Sequence, residues 1–218
     1  MLWIARQEEP IELTDWRREN KKCANHSYKS LPGNVQRAVK AALLRDQRYL
    51  CAYTMRRIAA ETSHIEHFKA RSKHHNEEVS YSNMLACYPG GTVEIPYGAK
   101  NKRAKGNVLN PHDREVDKEF RYASDGQIIG NSELAKRTIE ILNLNHELLC
   151  ANRNEVMHSW KQKLLAEKPS EGRCRQMLAA MEADERLPEY YGVIRQVLSD
   201  HAQHQAKRAQ RLNREKRE

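Results

Sequence analysis

No stretch of this chain approaches the roughly 20 apolar residues that crossing a bilayer requires. The opening "MLWIARQEEP" has no basic segment leading into an apolar run, so neither a membrane span nor an export leader is expected. Cysteine offers no scaffolding. Cys23, Cys51, Cys87, Cys150 and Cys174 are odd in number, widely spread and nowhere in a C-x-x-C pair, which suggests no disulfide framework and fits a reducing cytoplasm. Internal repeats and low-complexity tracts are lacking too. Acid is the scarcer charge: 29 Asp and Glu stand against 38 Lys and Arg, a formal surplus of nine. A surplus of that size points towards polyanions such as nucleic acid, although a well-solvated surface would look the same. The 218 residues are enough for one large domain or two small ones, and for a real core.

What is present divides into three stretches. Residues 1–33 carry Pro10, Pro32 and Gly33 with little periodicity and read as a lead-in, apart from a short helix at "LTDWRREN" that Thr14 could cap. From 34 to 130 an amphipathic helix comes first, "NVQRAVKAALLRDQRYL", with Asn34 as its cap and Val35, Val39, Leu43 and Leu44 on one face. Short apolar pieces broken by Gly, Pro and Asn follow, and the stretch closes on "EFRYASDGQII", a hairpin signal across Ser124-Asp125-Gly126. Residues 131–218 are helical. Ser132 caps "SELAKRTIEILNL", a long amphipathic run holds Leu148, Leu149, Val156, Trp160, Leu164 and Leu165, and Pro169-Ser170 precedes helices over about 171–185 and 189–216. The last ends in "AKRAQRLNREKRE", which reads as a solvated basic helix end. The Leu, Met and Trp stripes are core or a partner surface, and Trp160, Tyr190 and Tyr191 are candidate interface anchors. The fold class expected is mainly α with a small embedded ββα unit, an α+β arrangement.

The chemistry concentrates at "TSHIEHFKARS", residues 62–72. Cutting a phosphodiester requires an activated water and neutralisation of charge on the leaving oxygen. A neutral imidazole can accept the water's proton, and a hard cation held by oxygen ligands can meet the charge. Glu66 and His67 offer both groups side by side. "TSHIEHF" would form one strand of a ribbon, with "CAYTMRRI" as the other and "AAET" as the turn between them. His64, two residues before Glu66, shares its side of an ideal strand. Adjacent Glu and His are more often an ordinary solvated surface, and His74 and His75 read as solvated. The context is what matters: Asn83 lies sixteen residues after His67, and "NKRAKGN" then brings a basic segment able to start a helix.

In that order the chain resembles the HNH endonucleases, and more narrowly the PtuB-like HNH proteins of the Septu and retron-associated anti-phage systems. The resemblance rests on "LLRDQRYLCAYTMRRI", "HIEHF", "YSNMLAC", "NKRAKGN", "LNPHD", "FRYASDGQI" and "ILNLNHELLCANR", between about residues 43 and 153. It implies a ββα-metal module that hydrolyses DNA with Mg²⁺ or Mn²⁺. Glu66 would be the metal ligand, His67 the general base and Asn83 the residue holding the loop that orients it. Beside what the resemblance implies, the spacing lets His64 support the metal ligand or contact phosphate, or be an ordinary surface residue, and Lys69, Arg71, Lys73, Lys100, Arg103 and Lys105 are expected to contact backbone phosphates. The resemblance also implies a role in phage defence with an ABC-type ATPase as partner.

Two departures from the family pattern stand out. Relatives often hold a structural zinc in two C-x-x-C knuckles. Here only Cys51 and Cys87 remain, with Thr54 at a third position, so zinc is not expected. Lys102 falls where the last metal ligand belongs, and a protonated lysine cannot ligate. Asn101 or Asn107 would substitute, or the ion would keep fewer protein ligands until a phosphate joined it, or the nuclease would be impaired. Asn110 and His112 in "LNPHD" match the family, but Asn-Pro also starts turns, so a structural role is equally open.

Overall fold

The computed structural model describes residues 1–21, 27–92, 94–102 and 106–215, the side chains of 209 and 212–215 excepted. The fold is mixed α/β and mainly helical, with two small antiparallel sheets. Its first helices are α1 (Ile11–Glu19) and α2 (Gly33–Asp46). Each is entered through a proline, Pro10 or Pro32, whose fixed φ suits the boundary. This corrects the expected caps. Thr14 lies inside α1 and its hydroxyl donates to Glu9 Oε1 at 2.7 Å, while Asn34 is the second residue of α2. Val35, Val39, Leu43 and Leu44 of α2 are buried, as their spacing required.

The first sheet pairs β1 (His64–His67) with β2 (Met84–Cys87), in the register His64↔Cys87 and His67↔Met84. The expected partner, "CAYTMRRI", is not a strand. It closes as a knuckle on the single bridge Leu50↔Arg57, with Cys51 N–H donating to Arg56 O at 2.8 Å, because Met55 at φ 61° turns the chain back. The one-turn helix α3 (Ala99–Lys102) follows β2 in the chain.

α2 anchors this unit by side chains. Gln47, just past its end, is buried. It donates to Leu50 O and Ala86 O (2.8 and 2.7 Å) and accepts from Ala86 N–H (2.7 Å), serving as an extra strand edge for β2. Lys40 Nζ donates to Ala60 O and Ser63 O (3.1 and 3.0 Å), fixing the approach to β1.

The second sheet is the expected hairpin, β3 (Phe120–Tyr122) against β4 (Ile128–Gly130). Its turn needs glycine at 126, where φ is +83° and a Cβ would fall 2.0 Å from Cys150 O. Four helices complete the chain: α4 (Glu133–Leu142), α5 (Glu147–Glu167), α6 (Glu171–Ala183) and α7 (Tyr191–Glu215). Ser132 and Ser170 cap α4 and α6 by accepting the N–H of Ala135 and Arg173. Arg153 of α5 is buried and donates to Gly126 O and Leu144 O (2.6 and 2.7 Å), tying the hairpin to the helices.

One apolar cluster runs from Met1 through Leu13, Val39, Tyr53, Met84, Phe120 and Leu142 to Leu198, so the lead-in, middle and helical stretches share a core. Tyr190 belongs to that cluster and Tyr191 to a smaller one with Leu50 and Leu187, at 2 and 3 % exposure. They are therefore not interface anchors, since their rings are already covered within the chain. Among the described residues no helix is long and apolar enough to cross a membrane.

Candidate active site

β1 presents Glu66 and His67 to an open cleft of about 650 Å³, walled by Ser27, Lys29, His64, Ile65, Ala70, Arg71, Ser72, His75 and Glu78. The His67 ring is held on two sides. Its Nε2 lies 2.8 Å from the carbonyl oxygen of Glu78, and the edge of Tyr28 meets it at 4.8 Å and 86°. A carbonyl can only accept, so Nε2 carries the proton and Nδ1 keeps the lone pair. Burial lowers the ring's pKa below its ordinary value, and the charges of Arg71 and Lys102 push the same way against the Glu78 hydrogen bond. The imidazole is accordingly neutral at neutral pH and basic at one nitrogen. That is the state a general base needs.

The loop that carries Glu78 is clasped by Asn83, 2 % exposed. Its Oδ1 accepts the Lys69 N–H at 2.7 Å, and its Nδ2 donates to Lys69 O and Glu77 O at 3.1 and 3.2 Å. Phe68 N–H donates to Asn83 O at 2.9 Å. Both ends of the loop are thus fixed to β1 and β2, and Glu78 O is held against His67.

Glu66 does not face an assembled ligand set. Lys102 Nζ lies 2.9 Å from Glu66 Oε1 and 2.9 Å from His67 O, with the lysine 2 % exposed. Asn101, one of the expected substitutes, donates instead to Ile141 O of α4 at 2.9 Å, and the exposed Asn107 is not among the cleft's walls. The Tyr53 hydroxyl, buried and without a hydrogen-bond partner among the described residues, is held well above its ordinary pKa chiefly by burial, so it is no anionic ligand. Among the described residues no three His, Cys, Asp or Glu side chains gather as a metal set. A hard dication seeks about six oxygens, and one carboxylate already paired with an ammonium does not fit it.

The positions expected to answer to a zinc knuckle do not form one either. Cys51 and Cys87 are buried together with Thr54. Burial would push both thiols up, but the Cys87, Thr54 and Tyr88 donors outweigh it at Cys51 and bring it down, while Cys87 stays well above its ordinary value. The residue three beyond Cys87 is Gly90, at φ +61°, and a Cβ there would meet Tyr97 O at 2.4 Å. Tyr97 OH accepts from Arg56 at 2.8 Å, and that guanidinium lies 4.1 Å from the Tyr88 ring centre. Two thiols, a hydroxyl and a crowded glycine do not fit tetrahedral zinc.

Of the expected phosphate contacts, Arg71 lines the cleft, its guanidinium 5.1 Å from the Tyr28 ring centre. Lys69 is exposed and paired with Glu77 at 2.8 Å, Lys73 is exposed, and Lys100 donates to Gly91 O at 3.3 Å. Arg103 and Lys105 lie outside the described residues. His64 stands at the junction of the cleft with a larger groove of about 1250 Å³. Arg37, Lys40, Arg45, Arg57 and Arg186 line that groove against only Glu12 and Glu61. The sequence reading missed these cations, yet Arg37, Lys40, Ala41, Leu44 and Arg45 recur at helix spacing, a readable signal of one basic face. His74 and His75 are solvated as expected, and His112 is structural: Nδ1 faces Ile4 O at 3.1 Å and Nε2 meets Arg6. No protein-family model and no curated protein matches the chain.

Proposed function

We propose that the chain is a nuclease of the ββα, HNH-like kind that hydrolyses phosphodiester bonds in DNA with His67 as general base. What carries the reading is the fixing of the His67 ring: Nε2 is bound to a carbonyl of a loop that Asn83 clasps, which leaves Nδ1 as the basic nitrogen of a neutral ring, on a residue that lines the cleft with Lys29 and Arg71. A water there gives its proton to Nδ1 as its oxygen attacks phosphorus, and the cations of cleft and groove hold the phosphates without reading sequence. Removing the base while keeping the binding surface tests this. His67→Ala should bind duplex DNA as the parent does and cut it at least ~10²-fold more slowly. Parental cutting by that variant would remove His67 from the chemistry.

The Lys102–Glu66 pair favours a second reading, a nucleic-acid-binding subunit of the same shape that cuts nothing. The same assay separates the two, since this reading expects binding and no cleavage from the parent itself.

The PtuB-like resemblance extends the proposal to phage defence in the cytoplasm beside an ABC-type ATPase. Exposed Leu148 and Leu165 on α5, at 45 and 68 %, support a docking role for the helical half. Co-expression with a neighbouring ATPase and size-exclusion chromatography, with Leu148→Glu and Leu165→Glu as controls, tests that assembly. Separate elution of the parent and the ATPase would end this part of the proposal.

A further inference from the structure

In this chain Glu66 is already paired with an ammonium group. β1 delivers Glu66 to the cleft, and α3 returns Lys102 to it from behind, with Nζ 2.9 Å from both Glu66 Oε1 and His67 O. Two of the three ammonium hydrogens are thereby spoken for, and the lysine is 2 % exposed. Such a group does not swing out to admit a metal. Leaving would strand a buried charge, and the backbone that carries it is fixed by Lys102 N–H on Gly98 O at 3.1 Å and Gly98 N–H on Leu142 O at 2.7 Å. A dication on Glu66 would sit within a few ångströms of the ammonium and be repelled by it. Asn101, the residue next to Lys102, has its amide anchored on α4, where Nδ2 donates to Ile141 O.

We infer that Lys102 is a built-in counter-ion standing where the divalent cation would bind Glu66, so that hydrolysis in this cleft proceeds without a divalent metal. The inference rests on the nuclease reading of the same cleft. In the step it describes, the water oxygen bonds to phosphorus as the bond from phosphorus to the leaving sugar oxygen breaks. The water's proton passes to His67 Nδ1. The departing oxygen takes a proton from solvent in the open cleft, its charge meeting Arg71 and Lys29, and His67 returns its own proton to solvent.

Two measurements on the full chain test this. In the first, Mn²⁺ is titrated and its free signal followed by electron paramagnetic resonance, for the parent, Glu66→Gln, Lys102→Asn and Lys102→Met. The parent should show no Glu66-dependent site at millimolar Mn²⁺, and Lys102→Asn should gain one at least about tenfold tighter, the scale on which neighbouring groups tune metal affinity. In the second, the parent should cut DNA in EDTA at a rate close to that with Mg²⁺. Mn²⁺ binding by the parent that Glu66→Gln abolishes would overturn the inference even if neither lysine variant folds. Cutting that stops in EDTA would overturn it while leaving the nuclease reading standing. A parent that neither cuts nor binds DNA would sink the nuclease reading and, with it, the claim of metal-free hydrolysis, and the Mn²⁺ titration would still decide what occupies Glu66.

Discussion

Asn83 grips Lys69 from both sides: its Oδ1 accepts the Lys69 N–H at 2.7 Å, and its Nδ2 donates to the Lys69 carbonyl at 3.1 Å. A third bond, to Glu77 O at 3.2 Å, closes the loop on itself. The next carbonyl along, that of Glu78, is the one that fixes His67. Asn83→Ala should therefore act at two levels. Leaving a fully buried backbone group unpaired costs about 1–3 kcal/mol, and these partly buried groups less, so the urea midpoint should fall measurably and the Lys69 amide should exchange faster. If cutting is confirmed, kcat should fall while DNA affinity holds. Asn83→Asp keeps the acceptor, turns oxygen against two carbonyls and should be no better. An unchanged midpoint with unchanged Lys69 exchange would show that the clasp does not hold the loop.

The Cys51 knuckle stands on packing and hydrogen bonds. Cys51 N–H donates to Arg56 O, Met55 N–H to Cys51 O, and Tyr88 N–H to Cys51 Sγ, while Tyr97 crowds the position that a fourth ligand would need. Purified protein should carry well under one zinc per chain, and a strong chelator should leave the thermal midpoint where it was. One zinc per chain whose removal unfolds the protein would contradict this account.

The parts legible in the sequence are those whose causes are local. Ser132 and Ser170 cap their helices because a hydroxyl next to three open N–H groups needs no distant partner. Ser124-Asp125-Gly126 turns the hairpin because only glycine tolerates the approach to Cys150 O. The adjacency of Glu66 and His67, and the oddity of Lys102, could be read at sight. The partner of β1 could not. β2 is buried along its whole length and shows no alternation, whereas "CAYTMRRI" has β-prone residues but a left-handed Met55 that no pattern announces. Tyr190 and Tyr191 illustrate a different limit: an aromatic ring looks the same in a sequence whether it anchors a partner or fills a core.

Acid should loosen the fold through His112. Arg6 has only donors, so the His112 Nε2 it meets must accept, and the Nδ1–H faces Ile4 O at 3.1 Å: the ring is built in neutral. Burial lowers its pKa beneath the ordinary 6.5, and the Arg6 charge adds to that against the Ile4 bond and Asp46. For a group depressed in the folded state, the stability it contributes is whole above the unfolded value and is lost as pH falls through the folded one. His67, lowered chiefly by burial, acts in the same direction. Urea midpoints should thus be flat above about pH 6.5 and fall below it, and His112→Gln should flatten the curve. A midpoint that rises on acidification would reverse the sign and refute the neutral assignment.

The basic face of α2 should govern affinity more than the lysines around "HFKARSK". Arg37 and Arg45 are exposed on the wall of the groove that meets the cleft at His64, whereas Lys40 is committed to Ala60 O and Ser63 O, and Lys69 to Glu77. Arg37→Glu with Arg45→Glu should leave the urea midpoint nearly unchanged, since exposed substitutions of this kind usually stay within about 0.5 kcal/mol. DNA binding should weaken, and because each phosphate contact contributes about 0.9 to the slope of log K against log salt, that slope should become shallower by about 2. Lys69→Glu with Lys73→Glu should do markedly less. Fluorescence anisotropy with a labelled duplex over a salt series reads both effects. If the α2 pair binds with the parent's affinity and slope, the groove is not the path of the strand, and the phosphates must run along the Arg71 side of the cleft instead.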